Sequence, residues 1–158
     1  MHREPMTPEG HQRLKDELHR LKTKDRPAII KEIAAARAHG DLKENGEYHA
    51  AREKQGLLEA RIHDLENTLA AAQVIEHKET PDKVVFGSWV KLLDLNTDQE
   101  KRYGIVGKFE ADLKVGKITF NSPIARALIG KKKGEIVTAQ VPKGLVEYEI
   151  LDIELISS

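Results

Sequence analysis

Tyr48, Ala51, Gln55, Leu58, Ile62, Leu65, Leu69 and Ala72 recur at alternating steps of three and four residues. That spacing is the a/d seam of a long helix that packs lengthwise against one neighbour. A second seam precedes it. Thr7 with Pro8 reads as a helix start, and Leu14, Leu18 and Leu21 keep the same rhythm. Continued, the rhythm would bring Asp25, Ala28 and Glu32 into the seam, whereas the apolar residues are Ile29, Ile30 and Ile33. The phase slips at Asp25-Arg26-Pro27, which predicts a break or offset with Asp25 capping a new segment, and Gly40 ends this arm. Two apolar stripes joined by a few residues predict an antiparallel coiled-coil hairpin turning near Gly40 to Asn45. A second arm of roughly 30 residues would be about 45 Å long.

The chain changes character near Pro81. All seven histidines lie in residues 1–80, and six of the seven aromatics (Phe86, Trp89, Tyr103, Phe109, Phe120 and Tyr148) lie beyond it, where they are expected to form a core. The runs VVFGSWVKLLDL, KRYGIVG, GKITF, EIVTAQV and VEYEILDIEL read as strands separated by turn residues. One short helix interrupts them in NSPIARALIG, with Ser122 as cap, Pro123 at its first position and Gly130 at its end. The expected fold class is α+β in two domains: a hairpin in 1–80, and in 81–158 a small antiparallel sheet wrapped on a short helix.

Composition removes several function classes. With 26 Lys+Arg against 26 Asp+Glu the net charge is zero, so the chain has no surplus to grip duplex DNA or an anionic membrane by itself. The absence of cysteine removes disulfides, thiolate nucleophiles and zinc sites that need Cys. There is no apolar run of membrane-spanning length and no apolar core of a signal peptide in residues 1–20, so the expectation is a soluble cytoplasmic protein. No P-loop, G-x-S-x-G, H-E-x-x-H or dinucleotide fingerprint is present, which makes an autonomous catalyst hard to place.

The turn itself, His39-Gly40-Asp41-Leu42-Lys43-Glu44-Asn45-Gly46-Glu47, concentrates carboxylates at the far end of the hairpin. Asp41 and Glu44 have capping-box spacing and fit the start of the second arm. They also fit a hard cation such as Mg²⁺, but that ion wants six oxygens, so two side chains at an exposed tip would need a partner to complete the site. Arg37 and Arg52 are nearly equidistant from the middle of the turn and would stand at similar heights on opposite arms. There they either flank a phosphate or base or simply pair with local acids on a solvated surface. His39 and His49 lack helical zinc spacing and read as surface residues. Lys131-Lys132-Lys133 reads as a helix end and exposed loop.

GDLKENGEYHAAREKQ at the turn and NSPIARALIGK in the second half resemble the two signatures of the Gre family of bacterial transcript cleavage factors. The resemblance extends over essentially the whole chain, through the MTPEG start and the proline-interrupted first arm. It implies a hairpin inserted through the secondary channel of RNA polymerase and an FKBP-like C-terminal domain docked at the channel rim. It gives Asp41 and Glu44 the role of positioning a catalytic Mg²⁺ in the polymerase active site, which activates water to cleave the RNA of a backtracked complex. It makes Arg37 and Arg52 candidates for holding the RNA 3′ segment, and Ser122, Pro123 and Ile124 a candidate polymerase contact. A monomer that lends residues in trans, without catalysing alone, is implied. Few basic residues near the tip match the GreA branch more than the basic GreB branch, and Gly46 stands where the family often has alanine. Two alternatives remain open: a Gre-like inhibitor that plugs the channel, and a folding helper, which the sparse aromatics disfavour.

Overall fold

The computed structural model describes residues 3–38 and 45–156, and these residues group into two compact units. One is Gln12–Ala71; the other joins the described residues up to His11 with those from Ala72 onward. Among the described residues no helix is long and apolar enough to cross a membrane.

The first unit is the hairpin. Its first arm comprises α1 (Pro8–Arg20) from Gln12 onward, a π-helical segment (Leu21–Asp25) and α2 (Arg26–Arg37); its second arm is α3 (Gly46–Ala70). The phase slip is resolved as an offset without a break. A π turn holds one residue more than an α turn, and that extra residue moves Ile29 and Ile33 into the seam. The Arg26 N–H donates to the Leu21 carbonyl, and Pro27 follows as the second residue of α2. Asp25 is helical and makes no side-chain cap, so that expectation is corrected.

Leu21, Leu58, Ile62 and Leu65 form the buried core of this unit, flanked by Leu14, Leu18 and Ile29. Nearer the tip the seam narrows to Ile33, Ala36 and Ala51, all buried. Ala72 falls beyond α3, and the 25-residue helix spans about 38 Å at 1.5 Å per residue, shorter than expected from the sequence. Salt bridges between the arms run antiparallel: Lys22–Glu66 at 3.1 Å, Arg26–Glu59 at 2.8 Å and Lys54–Glu32 at 3.5 Å. Arg61 grips Glu17 through two hydrogen bonds of 2.8 and 2.9 Å and holds its carboxyl below the usual carboxylate range. Such exposed pairs contribute little stability, so the apolar seam carries the packing and the charges fix partner and register.

The second unit is built on a five-stranded sheet ordered β5-β4-β3-β7-β6, from β3 (Ser88–Asp94), β4 (Glu100–Val106), β5 (Lys117–Thr119), β6 (Ile136–Val141) and β7 (Gly144–Leu155). All five expected strand runs are present. β3 alternates, with Ser88, Val90, Leu92 and Asp94 turned inward. α4 (Pro123–Leu128) buries Ala125 and Leu128 in the same core as Val84, Val90, Leu92, Ile105, Val137, Tyr148 and Ile150.

Three differences from the sequence reading appear here. The sheet is mixed, because β5 pairs parallel to β4: the connection through a 3₁₀ turn at Leu113–Val115 and left-handed Gly116 carries the chain back before β5 begins. Of the six aromatics only Tyr148 is fully buried; Phe86, Trp89, Tyr103 and Phe120 sit at intermediate burial and Phe109 is exposed, so aliphatic residues make the core. Finally, a two-stranded parallel sheet of β1 (Glu4–Met6) and β2 (Ala72–Val74) pairs Glu4 with Ala72 and Met6 with Val74. It was unforeseen because three-residue strands carry too little pattern to read.

Burial, with Tyr103 and Asp94 close by, pushes the Tyr148 hydroxyl up to about 12. An acid whose pKa is raised by folding adds stability that is complete below its unfolded value near 10 and is lost as pH rises toward the folded value. Tyr148 is therefore expected to weaken the second unit between about pH 10 and 12, by up to about 1.4 kcal/mol per pH unit. Urea midpoints at pH 9 and 11 should fall more steeply in the wild type than in Tyr148→Phe.

Candidate functional site

α2 ends at Arg37 and α3 begins at Gly46. Asp41 and Glu44, the carboxylates singled out by sequence, lie outside the described residues, as does His39; the residues on either side of them are described. Asn45 is extended at φ −85° and ψ 95°, and its Oδ1 accepts from the Tyr48 N–H at 3.1 Å. It is therefore the cap of α3, and the capping-box reading of Asp41 and Glu44 does not describe how this helix starts. Asparagine caps as well as aspartate does. The same side chain also reaches the other arm: its Nδ2 donates to the Ala36 carbonyl at 2.5 Å, in the last turn of α2.

Arg37 lies with its guanidinium 5.8 Å from the Tyr48 ring centroid, a cation–π contact between the arms. Arg52 is exposed one turn after Tyr48 on α3, with no salt bridge to an acid among the described residues. The structure thus puts one arginine of the predicted pair over Tyr48 and the other a turn away on the helix that carries it. His49 stands edge-on to Tyr48 at 5.6 Å. Gly46 is the first residue of α3, and a Cβ there would meet open space.

Between the arms is a cleft of about 350 Å³ lined by Glu32, Ala35, Ala36, Glu47, Ala50, Ala51 and Lys54. Its alanines let the helices approach closely, and Lys54 neutralises Glu32. Among the described residues no group of three or more His, Cys, Asp or Glu side chains is placed to hold a metal ion.

The second predicted site lies in the other unit. Ser122 Oγ accepts from the Ala125 N–H at 3.3 Å, capping α4, and Pro123 is exposed at its first turn. Ile124 packs against the core, and Gly130 follows the helix at φ 87°. The capping role of Ser122 is thus established by geometry, with Pro123 as the solvent-facing member of the trio.

Sequence reasoning missed Asn45, whose signal was present in the Asn-Gly-Glu-Tyr order before an a/d seam. It also missed Glu110, which is buried although charged and accepts from the N–H groups of Thr7 and Gly107, both at 3.1 Å, and from the Thr7 hydroxyl. Nothing in the residues around Glu110 announces a partner 103 positions away.

Comparison with known proteins gives the context of these sites. Residues 4–74 match the family described as transcription elongation factor, N-terminal, and residues 78–155 match transcription elongation factor, GreA/GreB, C-term. The chain belongs to the GreA/GreB family of transcription elongation factors. Transcription elongation factor GreA of Legionella pneumophila (strain Corby) is 54% identical over 158 residues, covering 99% of both chains. Its counterpart in Psychrobacter cryohalolentis is 56% identical over 155 residues, covering 97% of this chain and 98% of the other. The crystal structure of Thermus aquaticus Gfh1 aligns at 26% identity and a TM-score of 0.45, covering 98% of this chain and 99% of that one. The two GreA/GreB matches together take in the β1 and β2 segments, the hairpin and the five-stranded sheet, so the chain is a transcription elongation factor by similarity along its whole length.

Proposed function

We propose that this elongation factor binds RNA polymerase and stimulates the polymerase's own endonucleolytic cleavage of RNA in backtracked, arrested complexes. The observation that carries this reading is that Asp41 and Glu44 fall in the short connection between α2 and α3, within a chain similar over its whole length to GreA proteins. In this reading the hairpin enters the secondary channel, and the second unit, FKBP-like in the family, docks at the rim with Ser122, Pro123 and Ile124 near the contact.

Two carboxylates offer the hard oxygen donors that Mg²⁺ prefers, but not the six it requires. The described residues do not complete the set, so the fit is to an ion whose other ligands come from the polymerase. When bound there, Mg²⁺ supplies Lewis-acid activation of water in a two-metal displacement. The chain's part is to present Asp41 and Glu44 at the reacting centre. Arg37 and Arg52 hold the displaced RNA 3′ segment by its phosphates. The factor acts as a cytoplasmic monomer and has no nuclease activity of its own.

RNA cleavage in a defined backtracked elongation complex with Mg²⁺ tests the proposal. Faster cleavage with factor than without is the expected result, and no cleavage of the same RNA without polymerase. Slowed cleavage or elongation with binding intact would replace this reading with that of a channel-blocking inhibitor.

A further inference from the structure

The helix ends that flank Asp41 and Glu44 are joined by one side chain. Asn45 accepts from the first turn of α3 with Oδ1 and donates to the last turn of α2 with Nδ2, at 3.1 and 2.5 Å. Each bond satisfies a backbone group of the kind that helix termini leave without an intrahelical partner. The Arg37 guanidinium over the Tyr48 ring adds a second link at the same level, since Tyr48 is the residue whose N–H Asn45 accepts. The apolar packing here is made of small side chains: Ile33, Ala36 and Ala51 are the buried residues of this end, and a cleft of about 350 Å³ lies beside them. Among the described residues, the Asn45 bridge and the Arg37–Tyr48 contact link the two helix ends beside these three buried side chains.

We infer that Asn45 is a positioning residue for RNA cleavage: it sets the separation of the helix ends between which the chain carries Asp41 and Glu44. This rests on the function proposed above. Metal-assisted displacement is sensitive to placement, and a shift on the order of 1 Å costs up to about 100-fold in rate.

Asparagine alone among the good caps both accepts and donates with a planar amide. Asn45→Asp keeps the cap acceptor and adds charge suited to a helix N-terminus, yet an ionised carboxylate cannot donate to the Ala36 carbonyl. Asn45→Ser keeps a neutral cap on a side chain too short to span both arms. Both variants should keep the wild-type helicity, so folding and bridging separate.

The chain has no cysteine, so spin labels at Ala34→Cys and Glu53→Cys report the spacing of the arms without interference. We expect a narrow label-to-label distance distribution in the wild-type background and a broadened one in both Asn45 variants. In the backtracked complex, cleavage at saturating factor should fall by about 10- to 100-fold in both. Half-saturating factor concentration should stay within about twofold, while half-saturating Mg²⁺ rises. A merely structural loss would move factor affinity and leave the Mg²⁺ dependence alone. Wild-type cleavage in both variants, or an unchanged distance distribution, would overturn the inference. Loss in Asn45→Asp only would assign the effect to added charge and overturn it too. If the wild type itself fails to stimulate, the proposed function falls first, and the distance distribution, which needs no polymerase, still decides whether Asn45 holds the arms.

Discussion

Replacing Asp41 by Asn and Glu44 by Gln together is expected to abolish the stimulation of RNA cleavage while leaving polymerase binding within about twofold. The substitutions keep shape and remove both negative charges. A hard divalent cation discriminates strongly between carboxylate and amide oxygens, because the ionised group supplies charge as well as a lone pair. Electrostatic groups that act at a reacting centre are worth about 10²- to 10³-fold each in rate, and the double variant should lose at least that much. Binding should survive, since the hairpin seam and the second unit are untouched. The assay is cleavage at saturating factor beside a direct binding measurement on the same complexes. Weak binding with a normal rate once bound would show that these carboxylates serve docking and would remove them from the chemistry.

Glu110→Ala should cost the second unit as much stability as truncating one of its buried aliphatic side chains. The carboxylate is only 6% exposed and gathers three donors, from Thr7 N–H, the Thr7 hydroxyl and Gly107 N–H. Thr7 in turn accepts from the Gly10 N–H at 3.1 Å, so the first turn of α1 is capped by a hydroxyl that is itself held by Glu110. The negative charge sits at a helix N-terminus, where the aligned peptide dipoles favour it. Two glycines make room: a Cβ on Gly10 would overlap the carboxylate, and one on Gly107 would overlap the Pro5 carbonyl.

Removing the carboxylate strands buried donors at a cost of about 1–3 kcal/mol each, so a loss of about 3 kcal/mol or more is expected. Hydrogen exchange should locate it. The amides of Met6, Thr7 and Gly107 should lose protection in Glu110→Ala, and partly regain it in Glu110→Gln, which keeps an acceptor. Unchanged protection would show that β1 is held by its pairing with β2 and its packing alone.

These cases divide what was legible in the residues from what was not. The a/d seam could be read because burial on one helix face repeats every three or four residues, and Ala51, Leu58, Ile62 and Leu65 are buried as that repeat requires. The slip at Asp25-Arg26-Pro27 was legible as a fault in phase. Its form was not, because a break and a π turn leave the same mark in sequence. Ser122 and Pro123 were legible because capping is local chemistry.

The start of α3 was misread for a related reason. Asp41/Glu44 and Asn45 both offer cap chemistry within a few residues, and local spacing cannot rank them. The bond from Asn45 to Ala36, nine positions away on the other arm, adds an anchor that favours Asn45.

The sequence by itself determined the hairpin, the strand-rich second half, the α4 cap and the location of the acidic connection. All of these follow from periodicity or from chemistry within about four residues. Only the tertiary structure decided the parallel β4–β5 and β1–β2 pairings, the Asn45 bridge and the Glu110 latch. The strand pairings join backbone groups, and the Asn45 and Glu110 side chains each reach backbone groups distant in the chain; such bonds leave no period in the sequence because peptide N–H and C=O are the same at every residue but proline.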